Sequence, residues 1–282
     1  MPTATATWTA WVESGVWLPQ KETIIPVIST QNAEVMALAL DPDVSVYRIG
    51  RLVSLEQGLA ARVIRLANSA SIGAMKRITT VNEAIVRVGT DAVRQTVLAA
   101  CVAERMEAVA ARSKSRDLYD HAIGTAALAQ LVGEQSGISP DEAFVAGLLH
   151  DIGKLALLTL AERPEDFGGP PAMLGEAELM IPAHHATIGA KLLAEWGIPE
   201  ELREPVLYHH RPYSTKRFAQ VTRVVYAANR LSHRYGFGCR PDKKAEVLGD
   251  PQIYSLGLGE HWLTMLDRRA PQVLSSARRL MG

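Results

Sequence analysis

Apolar residues along this chain recur three and four positions apart, and nowhere do they alternate with period two over a useful length. The pattern predicts helices throughout and an all-α fold. The stretch around which the rest is organised is SPDEAFVAGLLHDIGKLALL, residues 139–158. Ser139 stands where an N-cap belongs, Pro140 fits the first helical position, and Glu142 completes an S-x-x-E capping box. Phe144, Val145, Leu148, Leu149, Ile152 and Leu155 follow at helical spacing and predict one buried stripe. His150, Asp151 and Lys154 are set into that apolar helix, with Lys154 one turn beyond the other two and on the same face. Burying three ionisable groups is costly unless they pair with each other or with a metal.

The same pattern divides the remainder. Trp8, Trp11 and Trp17 fall in an N-terminal segment, residues 1–24, which reads either as a short helix docked on the body or as a patch for a partner. Residues 25–112 read as a string of short capped helices. Asp41-Pro42-Asp43 opens one, Ser54–Gln57 and Thr80–Glu83 are capping boxes for the next two, and Thr90-Asp91 starts a fourth. Asn68, Ser69 and Ser71, between a helix end and Gly73, are placed to bond local backbone. A polar patch at Ala111–Asp117 marks a boundary, and residues 113–240 form a second helical part. It opens with a small-residue helix from Asp117 to Ser136 and includes a Pro/Gly-rich loop, Arg163–Gly175. Its later helices are Ala183–Trp196, one from Pro199 closing on His209-His210, and Phe218–Tyr235, which contains Asn229. Residues 241–282 carry a helix from Glu260 to Asp267 and another from Pro271.

Composition narrows the function classes. The chain has 282 residues, 48% hydrophobic and 21% charged, with Lys+Arg 30 against Asp+Glu 30. Net zero charge leaves no electrostatic footprint for nucleic acid or an anionic membrane. Cys101 and Cys239 make neither a disulfide framework nor a zinc cluster, which suits a reducing compartment. The apolar runs read as too short to span a bilayer, and MPTATATWTAWVES has no signal-peptide pattern, so the expected location is cytoplasmic.

Six of the eight histidines lie between His121 and His210. His121 follows Asp117 at i,i+4, His185 (with His184 the alternative) lies on a later helix, and His209 and His210 close the next. With His150 and Asp151 they come from four successive helices, the way helical bundles assemble metal sites. Imidazole and carboxylate donors suit iron, manganese or zinc.

GLLHDIGKL, the upstream LYDHAIGTAALA and the downstream HHATIGAKLLAEWGIPEELREPVLYHH resemble the HD superfamily of metal-dependent phosphohydrolases. From about Ile25 to Asn229 the chain resembles the HDOD family, HD-related output domains of bacterial signalling proteins. DPDVSVYRIGRLVSLEQGLAARVIRLANSA and VNEAIVRVGTDAVRQTVLAA match its N-terminal helical part. The resemblance implies an HD-like helical domain packed on an N-terminal bundle, acting as a regulatory module without catalysis, in pathways that include cyclic-di-GMP signalling. Set against the related HD-GYP phosphodiesterases, it implies metal ligands at His121, His150, Asp151, His185, His209 and His210, with Asp117 and Asn229 peripheral. Two departures stand out. Asn229 replaces an aspartate, and RPYSTKRFAQ stands where a Gly-Tyr-Pro loop would follow the histidine pair. An amide is an uncharged, weaker ligand, and the missing loop removes contacts to a cyclic dinucleotide.

Two readings follow. In the first, the bundle is a signalling module with a protein partner or a nucleotide ligand, and the divalent metal (Fe, Mn or Zn) is either retained or lost. In the second, it is a metal-dependent phosphohydrolase acting on a nucleotide or phosphodiester, with Asp151 holding the metal and Lys154 neutralising charge on the phosphate. The two departures favour the first.

Overall fold

The computed structural model describes residues 8–14, 44–55, 60, 61, 63, 64, 68, 78–89, 97, 100–102, 116–162, 174–195, 198–238, 247 and 249–281. Every element among them is helical and none is a strand. In chain order the helices are α1 (Trp8–Ser14), α2 (Val46–Leu55), α3 (Val81–Val88), α4 (Arg116–Ser136), α5 (Pro140–Leu149), α6 (Ile152–Glu162), α7 (Leu174–Glu195), α8 (Glu200–Tyr208), α9 (Ala219–Tyr235), α10 (Pro251–Tyr254) and α11 (Glu260–Met281). A single 3-10 turn, Pro212–Ser214, follows α8.

Local chemistry sets several of these boundaries. Thr80 caps α3 in a complete capping box, its hydroxyl accepting from Glu83 N at 3.1 Å while the Glu83 carboxylate accepts from Thr80 N at 3.2 Å. Ser139 Oγ accepts from Glu142 N at the start of α5. Asn68 staples two segments together, donating to the carbonyls of Ile64 and Ile78 and accepting from Ile78 N at 2.9 Å. Ser69, Ser71, Trp17, the Asp41 and Thr90 helix starts, the loop at 163–173 and Cys239 lie outside the described residues. The short α1 rests on α7, with Val12 buried and Glu13 Oε1 3.5 Å from His184 Nε2.

Three boundaries differ from the sequence reading. The helix expected through residues 139–158 is divided at His150-Asp151: α5 packs along α4, whereas α6 packs along α7. His150 keeps a right-handed helical backbone (φ −53, ψ −34), and Lys154 N then bonds Asp151 O at i−3. Second, α7 begins at Leu174 and runs through Pro182. Third, α11 is one helix through Pro271, where two were expected. An internal proline costs about 3 kcal/mol of helix stability. In both helices the apolar stripe spans the ring, with Met180, Ile188 and Leu192 buried in α7, and in α11 Leu263, Leu266 and Ala270 buried before Pro271 and partly buried Val273 packed on the core after it. Tertiary burial outweighs the lost bond.

The core has two lobes. The larger joins α1, α2, α3 and the segment around Val97–Val102 to one side of the α4–α9 assembly, and the smaller packs α10 and α11 on the opposite faces of α4 and α9. The segment Glu142–Glu162 passes through the middle, long and apolar enough to cross a bilayer but 94% buried inside the protein, so here it is the core. Among the described residues no other helix has that length and composition.

Two glycines decide how closely the helices approach the dipeptide between α5 and α6. A Cβ on Gly147 would meet Ala129 Cβ at 2.8 Å, and a Cβ on Gly153 would lie 1.9 Å from the His185 carbonyl oxygen and 2.8 Å from Gly189 N. Gly153→Ala is therefore expected to lower stability by about 3 kcal/mol. Gly147→Ala, whose Cβ would meet the Ala129 methyl group and, at 3.0 and 3.1 Å, the Ala126 Cα and Thr125 carbonyl oxygen, should cost less. Urea unfolding midpoints of the two variants check the order; equal losses would show that α6 and α7 separate freely.

Candidate metal centre

Four of the five expected histidines are presented to the centre by a backbone anchor. His150 Nδ1 lies 2.7 Å from Gly147 O, His209 Nδ1 2.7 Å from Val206 O, His185 Nδ1 2.5 Å from Ile181 O, and His121 Nδ1 3.1 Å from Phe237 O. A carbonyl only accepts, so in these four rings Nδ1 carries the proton and Nε2 is left with its lone pair. That second-shell arrangement is the usual way a metal-ligating histidine is oriented.

The freed Nε2 atoms converge on the buried carboxylate of Asp151. Oδ2 lies 3.2 Å from His150 Nε2 and 3.5 Å from His121 Nε2, and Oδ1 lies 3.3 Å from His185 Nε2 and 3.6 Å from His209 Nε2. His210 Nε2 is 3.1 Å from His185 Nε2. Two triads result, His121–His150–Asp151 and His185–His209–His210, each with its ligand atoms within 4.8 Å of one another. His121 and His150 face each other Nε2 to Nε2 at 3.3 Å, and His185 and His209 at 3.2 Å. Neither member of these pairs has a proton to give. Facing lone pairs at that separation repel unless a positive charge stands beside them, and Asp151 Oδ1 is buried with no hydrogen-bond partner. The donor set fits a divalent metal.

Electrostatics point the same way. Burial pushes the His121 ring down to about 3 and, together with His185, the His210 ring to about 4; burial also lowers His185 and, strongly, His209. Burial alone would raise the Asp151 carboxyl, but the charge of the groups around it, the Lys154 ammonium among them, outweighs burial and holds the acid well below the usual range. Neutral imidazoles around one ionised carboxylate are what a metal requires of its ligands.

All six expected ligands are therefore brought together, and Lys154 joins them, its Nζ 2.5 Å from Asp151 Oδ2. Three residues fall differently. His184, the alternative to His185, points to Glu13 on α1. Asp117 is exposed on the first turn of α4 and stays outside both triads, because that turn precedes the buried part of the helix. Asn229, expected at the periphery, is buried on α9 with Oδ1 unpartnered.

Two further residues carry weight that the sequence reading missed. The His233 ring lies 5.0 Å from that of His121. Glu204, buried on α8, fastens the segment that follows the histidine pair: one oxygen accepts from the Thr215 hydroxyl and from the backbone N–H groups of Lys216 (2.6 Å), Arg217 (2.9 Å) and Phe218 (3.2 Å). Burial would raise its carboxyl, but these hydrogen bonds lower it. The loop in place of Gly-Tyr-Pro is thus a pinned turn at the end of α8.

Fold and centre together define a helical bundle of the HD type with a buried His/Asp cluster able to hold a metal. The HDOD domain model matches residues 25–212, and the chain belongs to that family. An uncharacterized protein of Treponema pallidum is 27% identical over 218 residues, 73% of this chain but 41% of that protein, so the chain spans under half of that relative's length. Among solved structures, an HDOD domain protein of unknown function from Geobacter sulfurreducens superposes with a TM-score of 0.63 at 22% identity, covering 98% of this chain and 97% of that one. A protein of Shewanella amazonensis named "Putative phosphohydrolase" superposes at 0.61 and 20% identity, covering 95% and 98%. These likenesses show the shared fold.

Two outcomes test the centre. In unfolded chain a histidine takes its proton near pH 6.5, while the buried rings resist until about 3 to 4. The metal-free native state then binds fewer protons in that window, and its stability falls as pH is lowered from 6.5 toward 4. Urea midpoints of chelator-treated protein should drop between pH 7.5 and pH 5; a flat profile would mean solvated rings. Glu204→Ala leaves three N–H groups without their acceptor and is expected to cost roughly 2 kcal/mol, with faster amide exchange at residues 216–218.

Proposed function

We propose that this chain is a metal-dependent ligand-sensing module. Its His/Asp centre holds a divalent cation (Fe, Mn or Zn) and, with it, the phosphate group of a small phosphorylated ligand such as a nucleotide. The bound state then regulates a signalling protein partner in the cytoplasm, with cyclic-di-GMP among the candidate ligands. The observation that supports this most is Asp151, buried, ionised and flanked by Nε2 atoms from four helices, with one oxygen unpartnered. A divalent cation bound there supplies Lewis-acid polarisation of a phosphoryl oxygen. Lys154, with 24% of its side chain exposed, lies at the rim where it can meet phosphate charge. Sensing is favoured over turnover by the uncharged Asn229 and by the Glu204-pinned turn that replaces a Gly-Tyr-Pro loop.

The pairing of Lys154 with Asp151 favours one other reading, a metal-dependent phosphohydrolase in which these two are the catalytic residues. Metal analysis and turnover of bis(p-nitrophenyl) phosphate and cyclic-di-GMP separate the two. The expected result is metal that co-purifies and is lost in Asp151→Ala, phosphoester binding in the wild type, and turnover no faster than in that variant. Turnover above the variant's would establish the hydrolase. Protein that takes up none of Mn²⁺, Fe²⁺ and Zn²⁺ would end both readings.

A further inference from the structure

The two triads differ in what already occupies their shared carboxylate. On the His121–His150 side, Asp151 Oδ2 is engaged by the Lys154 ammonium at 2.5 Å. On the other side Oδ1 has no hydrogen-bond partner and faces the triad of His185, His209 and His210. The second side therefore offers three neutral imidazoles and a free carboxylate oxygen, a complete four-ligand set. The first offers two imidazoles and an oxygen whose charge is already answered.

Charge balance makes the same distinction. Asp151 is the sole carboxylate in either triad. Two divalent ions sharing it would sit about 4 Å apart with one negative charge between them, beside a lysine and in a pocket where burial already penalises charge. Asn229 adds a dipole and no charge. Asp117, one turn before His121, faces solvent, and Asp120, buried on α4 next to His121 in the chain, belongs to neither triad.

We infer that this centre is a one-metal site, in which His185, His209, His210 and Asp151 Oδ1 hold a divalent cation and the Lys154 ammonium stands in for a second beside His121 and His150. The inference rests on the proposal that the cluster binds metal, and it sets how many ions and on which side. His121 and His150 are then positioning residues for Asp151, presenting its oxygens in the observed orientation, while the other three histidines are ligands.

Metal stoichiometry on the full chain tests this without reference to activity. Protein loaded with Mn²⁺ and desalted should retain one Mn per chain and give the electron paramagnetic resonance sextet of an isolated ion. His210→Ala, at the exposed end of its triad, should lower retention at least tenfold, and His121→Ala should keep one Mn. Lys154→Met, which removes the ammonium and keeps the stem, should raise retention toward two. Two ions in the wild type with a spin-coupled signal, or retention lost in His121→Ala but kept in His210→Ala, would overturn it. If the wild type retains none of Mn, Fe and Zn, the metal reading itself fails, an outcome distinct from a wrong count.

Discussion

The close approach of α6 to α7 at Gly153 is the constraint on which the centre depends. Backbone meets backbone there, with the His185 carbonyl where a side chain would otherwise begin. Only at that separation can a histidine on one helix reach the carboxylate at the head of the next. Gly147 does the corresponding work on the other flank, letting α4 come close enough for His121 to meet His150. The dipeptide is thus bracketed by two missing side chains, and the meeting of His121 with His150 and of His185 with Asp151 follows from how near α4 comes to α5 and α6 to α7.

A buried carboxylate in the middle of the most apolar stretch of the chain runs against the tendency of that stretch to be simple core. The fold accommodates it by turning the chain at His150-Asp151, so that α5 and α6 pack on different neighbours and the acid lies where both sides supply nitrogen. Local rules broken in this way, with the groups around them arranged to compensate, are the mark of a functional position rather than a packing one. The anchoring of four Nδ1 atoms on carbonyls reinforces the point: the backbone is used to aim the rings, and the aimed atoms, with lone pairs and no proton, are left to bind a cation.

Much of this was legible in the sequence, for reasons that can be named. His150, Asp151 and Lys154 stand out because charge in an apolar helical stripe has few explanations, and His209-His210 because a helix visibly ends there. The ends of α4 at Ser136 and of α9 at Tyr235 were read from the pattern, and α3 was marked by its capping box. Other features depended on partners far along the chain. His184 and His185 are neighbours whose roles part only because α1 supplies Glu13 to one of them. Asp117 satisfies the i,i+4 rule with His121, yet a rule about faces says nothing of where along the helix burial starts. The prolines of α7 and α11 read as breaks because the packing that carries each helix past them is tertiary. Glu204 gave no signal, since its four partners lie 11 to 14 residues ahead in a segment without periodicity.

Glu204 also separates two properties that many sites entangle. Because its carboxylate fixes the turn from within the fold, the outward residues Arg211, Tyr213 and Lys216 are held in place without help from anything outside, Tyr213 with 72% of its surface open. A molecule meeting that turn encounters a surface whose ordering entropy was spent during folding. The side chains there are free to diverge among descendants of this chain while the imidazole cluster stays as it is, so selectivity and ion binding can evolve on independent schedules.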